Sequence, residues 1–465
     1  MQKPRSFFGS AIFYTLGVIL AQGLTFLLTQ ILFPRVLVVN ADITNVGLYT
    51  NYATILGTII GLEAASSLNN ARLKFGVDKL DRYTSSLLGI GMLMAGLVAV
   101  VIVAFQGFFT STLTFPLPVL LLSVVQGFFS FAVVLLAQKC RVLNQPQKFV
   151  LWTALVCVLR LLFSMLFVTN MREEQYLGDV YGSVLAYAAV GIAAIIVMAK
   201  NGRSVGNAAY WKYCLLLTVP LVFHTLASQI LSYSDQFMLT KMFGKDYASS
   251  YTYVYGIALL ANAIWLAFNN AWSVWYFDRT EEGAAEAIQD LYKKYAGFVT
   301  LFTFALVLVA PDLVQIFGDG RFPEGIYLTP IIMLGCYFMF LYTFPVGYET
   351  YKHKTVYIAV GTALAAGINV GLNFIFIPLW GSLGAAFTTL IAYIFLFLFH
   401  YIIASRIIKG FQISFVQLLI PALIMAGLVG FTYLTLSILW LRWVLAVVSL
   451  VGSYMVFRRS RHIMM

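Results

Sequence analysis

Fourteen apolar stretches of about 20 residues each, joined by short polar or basic connectors, run through this chain from end to end. A helix needs roughly 20 apolar residues to cross a hydrocarbon layer about 30 Å thick. Of the 465 residues, 61% are hydrophobic and only 10% are charged, whereas soluble domains carry roughly 25% charged residues. The pattern excludes a soluble domain and predicts an all-α membrane protein with 14 transmembrane helices.

The expected spans have boundaries that are good to a few residues. Two consecutive pairs, at 355–403 and 415–457, have almost no residues between their members and are predicted to form tight helical hairpins. In chain order, the spans are 11–33, 48–70, 85–106, 114–136, 149–169, 179–199, 213–237, 251–275, 295–317, 327–348, 355–377, 382–403, 415–437 and 438–457.

The net charge of +11 is distributed as membrane topology requires, which makes nucleic-acid binding the poorer interpretation. If both termini are cytoplasmic, the inner connectors and termini carry 22 Lys and Arg residues and the outer connectors carry 6. Such an excess on one side is the positive-inside signal of multi-pass proteins. We therefore expect both termini to be cytoplasmic.

The two halves of the chain resemble each other weakly. A Thr-Ala-Leu sequence at 153–155 recurs 209 residues later, and at that offset Arg160 aligns with Asn369 and Ser164 with Asn373. Because an even number of helices returns the chain to the same side, a six-helix repeat gives two lobes of the same orientation, a design found in transporters.

The repeat predicts three segments. Residues 1–205 form an N-lobe of helices 1–6, residues 206–410 form a pseudo-symmetric C-lobe of helices 7–12, and residues 411–465 add a C-terminal helical pair, helices 13 and 14. In transporters built from such repeats, the substrate site lies near the interface between the repeats. The sequence therefore favours a transporter.

Two charged residues stand well inside apolar stretches. Arg160 lies near the middle of span five, where an arginine costs about 3 kcal/mol to insert. It predicts either a cationic contact for an anionic group such as a phosphate, or a structural ion pair or carbonyl contact. Glu63 lies in the inner half of span two and is the only acid well within the first six spans. It predicts either a site for a coupling proton or ion, or a partner for Arg160 or another base.

Two further titratable residues lie in span seven. Asp235 is near its outer end, beside the hydroxyl groups of residues 232–234. Those hydroxyls could help a carboxylate to hold a cation, and solvation at the helix end is the alternative. His224 is near mid-membrane and either titrates near neutrality or stays neutral, bonded to a backbone carbonyl.

Span eight carries a polar and aromatic stripe made of Asn262, Asn269 and Asn270 with Trp265 and Trp272. Amides and aromatic rings are the groups that bind the hydroxyls and apolar faces of sugars. The alternative is hydrogen bonding between helices, for which membrane proteins commonly use amides.

The strongest motif runs from span eleven into span twelve as N-x3-N-x4-P-x2-G-x2-G-A-A-x2-T. Asn369 and Asn373 are one helical turn apart and share a face, Pro378 and Gly381 favour a tight turn, and Gly384 begins a small-residue stretch that permits close helix approach. The motif, with the length and span number of the chain, resembles the polysaccharide-transporter branch of the multidrug/oligosaccharidyl-lipid/polysaccharide (MOP) exporter superfamily, and looks like a Wzx-type flippase.

The resemblance implies a function. Such proteins flip undecaprenyl-diphosphate-linked oligosaccharide repeat units from the inner to the outer leaflet of the bacterial cytoplasmic (inner) membrane, for O-antigen, capsule or exopolysaccharide synthesis. They do so by alternating access, coupled to a gradient of H+ or Na+, and without a cofactor. The pair at 411–465 implies a groove for the lipid tail. Membrane lipid is a further expected partner, and a polysaccharide polymerase with its chain-length machinery is another.

On this interpretation, the diphosphate enters near Arg72 and is held by Arg160. Arg72 lies at a helix end, where snorkelling to the lipid headgroups is the alternative role. The coupling group is Glu63 or Asp235, with His224 as a further candidate. Because Arg160 is the only clearly central cation, the glycan is expected to be fairly neutral. The residues expected to line the glycan path are Asn262, Asn269, Asn270 and Gln229.

Three alternatives remain open at this point. One is a drug or small-cation antiporter of the same superfamily. Another is a membrane polysaccharide polymerase or ligase, although the sequence shows no nucleophile–base pair, metal-ligand cluster or phosphate loop, so no catalytic residue, no metal and no enzyme are predicted. The last, a passive scaffold, would leave Arg160 and Glu63 unexplained.

Overall fold

The computed structural model describes residue 17 and residues 19–464, except for the side chains at 263, 264, 267, 270, 271, 274 and 459–464. Over these residues the chain forms sixteen α-helices and no strand. The all-α fold predicted from the apolar stretches is therefore confirmed. Residues 11–16 and 18 of the first expected span lie outside the described part of the chain.

The first nine helices are α1 (Ile19–Val36), α2 (Asn40–Gly61), α3 (Leu68–Phe75), α4 (Leu80–Ala104), α5 (Gln106–Leu113), α6 (Leu117–Val142), α7 (Pro146–Asn170), α8 (Tyr176–Gly202) and α9 (Ala208–Phe243). The helix α1 contains a π-helical segment at Leu27–Leu32.

The remaining seven helices are α10 (Lys245–Ala258), α11 (Leu260–Glu281), α12 (Ala285–Phe317), α13 (Gly325–Tyr351), α14 (Thr355–Ile402), α15 (Phe415–Leu434) and α16 (Leu439–Met464). The helix α14 is bent at Gly381, and a π-helical segment, Ile403–Ile408, follows it.

Backbone contacts divide the chain into two compact units, Met1–Gln229 and Ile230–Met465. The division falls inside α9, and the C-terminal helices α15 and α16 belong to the second unit. The three segments expected from the repeat, at 1–205, 206–410 and 411–465, stay a prediction.

Eleven helical segments of the described chain are long and apolar enough to cross a membrane. The difference from fourteen has three sources. Neither α2 nor α11 is among the eleven, because each carries many polar residues. The third source is the segment at 355–408, which counts once although it bends back at Gly381.

The bend at Gly381 makes the two arms of α14 antiparallel. Gly381 adopts φ 55° and ψ −130°, a conformation that residues with a Cβ rarely adopt. A Cβ on Gly384 would lie 2.1 Å from the carbonyl oxygen of Phe376, so the arms touch backbone to backbone there. The Pro-x2-Gly sequence from Pro378 to Gly381 is thus the turn of a helical hairpin.

The expected second span, 48–70, is wrong in its bounds. The helix α2 begins at Asn40 and ends at Gly61, and Leu62 and Glu63 follow in left-handed conformations with φ 48° and 53°. Glu63 therefore lies in a turn between helices rather than within a span. Residues 62–70 contain no proline or glycine, so no helix-breaking residue after Gly61 marks the end of the span.

Candidate functional site: a polar centre in each unit

In the first unit, Arg160 of α7 forms a buried ion pair with Asp179, from the first turn of α8. The Nη2 atom of Arg160 lies 2.9 Å from Oδ2 of Asp179, and the Ser164 hydroxyl donates to Oδ1 of the same carboxylate over 2.7 Å. Arg160 is 9% exposed and Asp179 is fully buried. Nη2 also donates to Thr50 of α2 over 3.4 Å. Of the two roles considered for Arg160, the structure shows the ion pair.

A neutral group extends this centre. The side-chain oxygen of Gln126, on α6, accepts hydrogen bonds from the hydroxyls of Tyr49 and Ser183, each over 2.9 Å. All three side chains are buried. Buried polar groups are costly unless they are hydrogen-bonded, and here one amide oxygen satisfies donors from two other helices, α2 and α8.

In the second unit, the equivalent centre is built around Asp235 of α9, which is 1% exposed. Its Oδ2 atom accepts from the Tyr251 hydroxyl over 2.7 Å and from the Thr389 hydroxyl, and its Oδ1 atom accepts from the Asn373 amide over 2.6 Å. Every one of these donors is neutral. Asp235 forms none of the ion pairs seen in the described part of the chain.

The two motif asparagines hold this centre together. Asn373 donates to the Asn369 side-chain oxygen over 3.3 Å, and Asn369 accepts from Ser234 over 2.7 Å. Thr388, from the second arm of α14, donates to the Asn373 side-chain oxygen. Both asparagines are fully buried. The hairpin at Gly381 therefore positions the motif directly against the Asp235 carboxylate.

The two centres correspond to each other but differ in charge. Tyr49 and Ser183 donate to Gln126 in the first unit, as Tyr251 and Thr389 donate to Asp235 in the second. The acceptor of these hydroxyls is a neutral amide in the first unit and a carboxylate in the second.

The carboxylate of the first centre, Asp179, is neutralised by Arg160, whose position matches the neutral Asn369 at the offset of 209. The first centre is electrically neutral, and the second carries one carboxylate without a cation. A carboxylate in that setting favours binding of a proton or a small cation, because burial otherwise penalises its charge.

The remaining candidates of the first unit lie elsewhere. Arg72, on α3, donates from Nη1 to the carbonyl oxygen of Val142 over 3.0 Å, at the end of α6. Gln229 donates to the Thr58 hydroxyl over 2.8 Å. Glu63 accepts from the Ser66 hydroxyl over 3.2 Å, and so does not pair with Arg160. These contacts do not bring Arg72, Gln229 or Glu63 into the Arg160 centre.

His224, also in the first unit, lies in α9 and is half-buried, and its backbone carbonyl accepts from Ser228 over 3.0 Å. It lies four residues after Pro220, a proline inside the helix. The structure does not place it in either polar centre.

The asparagine stripe of α11 packs inside the second unit. The Asn262 oxygen accepts from the Trp265 indole over 3.1 Å, and its amide lies 3.8 Å from the Met339 sulfur of α13. Trp272 is 6% exposed and stacks on Tyr276, with ring centroids 5.7 Å apart. Protein groups therefore cover the aromatic faces expected to meet a sugar.

Asn269 is half-buried, with its backbone carbonyl bonded to Ser273 over 2.8 Å. The side chain of Asn270 lies outside the described residues. Neither residue adds a sugar contact that the structure displays.

Sequence reasoning missed Asp179 and Gln126. Asp179 stands at the edge of the expected sixth span, where a helix-end carboxylate attracts no notice. A second repeat would have drawn attention to it: residues 177–187 and 383–393 share Leu-Gly at the start and Ala-Tyr at the end, at an offset of 206. This repeat aligns Ser183 with Thr389, the two hydroxyl donors described above.

No protein-family profile matches the chain, and no curated protein matches its sequence. Solved structures do match its fold. The lipid II flippase MurJ, in an inward closed conformation, matches with a TM-score of 0.72 and 18% identity, over 96% of this chain and 99% of that chain.

An inward-facing multidrug resistance MATE family transporter of the MOP superfamily matches with a TM-score of 0.66 and 14% identity, over 85% of this chain and 98% of that chain. A MOP superfamily transporter from Pyrococcus furiosus matches with a TM-score of 0.60 and 13% identity, over 86% and 96% of the two chains. The chain therefore has the multi-pass membrane fold of MOP superfamily transporters. The resemblance expected from the sequence is confirmed at the level of the fold.

Proposed function

We propose that this protein flips an undecaprenyl-diphosphate-linked oligosaccharide from the inner to the outer leaflet of the bacterial cytoplasmic membrane, by alternating access. It crosses the membrane fourteen times, with both termini in the cytoplasm, and serves the synthesis of a surface polysaccharide such as O-antigen, capsule or exopolysaccharide. The barrier that it lowers is desolvation, because a diphosphate is prohibitively costly to bring into hydrocarbon.

The observation that carries the proposal is the extent of the fold match. The MurJ match covers 96% of this chain and the MATE match covers 85%, a difference of about a tenth of the chain. That difference is of the scale of the segment at 411–465, which contains α15 and α16. A lipid flippase therefore accounts for more of this chain than a multidrug transporter does.

The C-terminal pair is anchored rather than appended. Arg442 of α16 donates to the carbonyl oxygen of Leu308 over 3.0 Å and pairs with Asp312 over 2.6 Å, both on α12. Trp443 donates to the other oxygen of Asp312 over 2.9 Å. Arg442 is 3% exposed. The fixed pair supports a permanent role, for which we propose the binding of the lipid tail.

Arg160 is the group that we propose to bind the diphosphate of the glycolipid. Its Nε and Nη2 atoms face Asp179, whereas its Nη1 donates no hydrogen bond within the described part of the chain. A guanidinium carries five N–H donors in a fork that suits phosphate oxygens. Nη1 could therefore contact a phosphate while Asp179 still holds the other side of the group. Arg72 remains the candidate for first contact.

Asp235 is the group that we propose for coupling to an ion gradient. Its carboxylate has three neutral donors and no cation, so a proton or Na+ would complete its charge balance. Glu63, in a turn, and His224, outside the two centres, are weaker candidates for this role.

One experiment tests both parts of the proposal. Purified protein in vesicles would be assayed by leaflet-resolved labelling of an undecaprenyl-diphosphate-linked glycan, with and without gradients of H+ and Na+. We expect flipping that a gradient stimulates, and loss of the stimulation in Asp235→Asn. The matched control is Asp290→Asn, since Asp290 is an exposed acid paired with Lys294.

A drug or cation antiporter is the second candidate, and the Asp235 centre also suits it. No flipping of the glycolipid, together with gradient-driven uptake of an organic cation, would favour that candidate and end the flippase proposal. If the gradient still stimulates flipping by Asp235→Asn, Asp235 is not the coupling group, whereas the proposed glycolipid substrate is unaffected by that result.

A further inference from the structure

A second titratable pair lies in the second unit, away from Asp235. The Nδ1 atom of His400, near the end of α14, lies 2.8 Å from Oε1 of Glu349, near the end of α13, and both side chains are fully buried. The other polar atoms, Nε2 of His400 and Oε2 of Glu349, have no hydrogen-bond partner. The function proposed above uses neither residue.

The neighbours of the pair are apolar or aromatic. A Cβ on Gly361, in the first arm of α14, would lie 2.8 Å from Nε2 of His400, so this backbone covers that edge of the ring. The ring of Tyr342 lies 5.9 Å from the His400 ring, and that of Phe399 lies 5.3 Å from it.

Charged groups lie beyond the ends of these helices. The Tyr348 hydroxyl donates to the carbonyl oxygen of Lys409 over 2.7 Å, and the backbone N–H of Lys354 donates to the carbonyl oxygen of Glu349 over 2.8 Å. These contacts use backbone carbonyls and leave the Glu349 carboxyl to His400. The remaining basic residues of these ends are Lys352, His353 and Arg406.

Burial of the Glu349–His400 pair favours one number of bound protons over the others. Without a proton, the pair would be a bare buried carboxylate, and with two protons it would be a buried cation, and either charge is heavily penalised in such surroundings. With one proton, placed on the Glu349 carboxyl, both members are neutral, and that O–H donates to Nδ1 of His400 in the single hydrogen bond that joins them. The unpartnered Oε2 and Nε2 atoms cost less on neutral groups than on ionised ones.

We propose that Glu349 and His400 form a one-proton latch, which joins α13 to α14 when this end of the second unit is closed and releases its proton when the end opens to water. In water, the carboxyl has a pKa of about 4.3 and the imidazole about 6.5. Above about pH 6.5 the hydrated pair holds no proton and the closed pair holds one, so closing binds a proton.

The sign and size of the pH effect follow from these counts. Between about pH 4.5 and 6.5 the open and closed forms both hold one proton, and pH does not shift their ratio. Above about pH 6.5 the open form gains about tenfold over the closed form for each pH unit. Alkaline conditions therefore open this end, and acidification toward pH 6.5 closes it.

Infrared spectroscopy of the protein with isotope-labelled glutamate tests the proton itself. We expect a protonated carboxyl band near neutral pH that disappears in Glu349→Gln and persists in Glu282→Gln, an exposed acid paired with Arg279. A wild-type spectrum without such a band would overturn the proposal, even if the Glu349 variant failed to fold.

Hydrogen exchange at the ends of α13 and α14 tests the latch. Exchange of the wild type relative to the double variant Glu349→Gln/His400→Gln, measured at the same pH, is expected to rise about tenfold per unit above pH 6.5. A ratio that is constant from pH 6.5 to 8.5 would refute the latch. Because neither readout requires a glycolipid, the result is independent of the proposed transport function.

Discussion

The ion pair between Arg160 and Asp179 offers the sharpest prediction. Replacing Arg160 by Met leaves Asp179 fully buried, with the Ser164 hydroxyl as its remaining side-chain donor. Removing one partner of a buried pair costs about 3–5 kcal/mol. A stability change of 1 kcal/mol moves the melting temperature by about 2–4 °C in a body of 150–250 residues. The first unit is of that size, so we expect Arg160→Met to lower its melting temperature by about 6–20 °C.

The double variant Arg160→Met/Asp179→Asn separates structure from substrate binding. It removes both charges while the introduced amide can still bond to Ser164, and replacing a buried pair by neutral groups is often neutral for stability. We expect its melting temperature in detergent to return to within a few degrees of the wild type. If Arg160 also contacts the diphosphate, glycolipid flipping stays lost in this stable double variant.

The control is Lys294→Met, which breaks an exposed pair with Asp290 and should cost less than about 1 kcal/mol. An Arg160→Met protein as stable as the wild type would refute the energetic argument. Wild-type flipping by the double variant would show that Arg160 is structural alone.

Two further predictions concern packing in the second unit. Gly384→Ala places a methyl group 2.1 Å from the Phe376 carbonyl oxygen, so it should destabilise the protein by about 1–3 kcal/mol. The control is Gly427→Ala, which has nothing within 4 Å of the added methyl group and should be neutral or stabilising. Equal melting temperatures of the two variants would contradict the close contact at Gly384. Arg442→Met breaks the buried pair with Asp312, so it should lower the free energy of unfolding by about 3 kcal/mol or more and lower the melting temperature accordingly. An unchanged melting curve would show that α16 is not anchored there.

Much of the fold follows from the sequence because the bilayer restricts what a chain can do. Long apolar stretches predict helices, and the Pro-x2-Gly sequence predicts the bend at Gly381, since glycine readily adopts a positive φ. The end of α2 escapes such reasoning. Leu62 and Glu63 adopt left-handed conformations that their side chains do not favour, so no residue pattern marks the turn.

The candidate site was predictable in part for a similar reason. Burial penalises charge, so Arg160 and Asp235 stand out within apolar stretches. Other members of the first centre do not stand out: Asp179 lies in the first turn of a helix, and Gln126 is one polar residue in a long apolar segment. Which donors meet which acceptor depends on helix packing over long sequence separations, 77 residues for Tyr49 and Gln126. Periodicity along a single helix carries no information about such contacts.

On the coupling proposed above, the difference between the two polar centres predicts how many ions they bind in one transport cycle. A duplicated protein could bear one ion-responsive acid per copy and so use two ions in each cycle. Here the first unit presents the neutral Gln126 to those donors, and its Asp179 is paired with Arg160. Of the two centres, the Asp235 centre alone carries a carboxylate without a cation, so under the proposed coupling we expect the two centres together to bind one monovalent cation in each transport cycle.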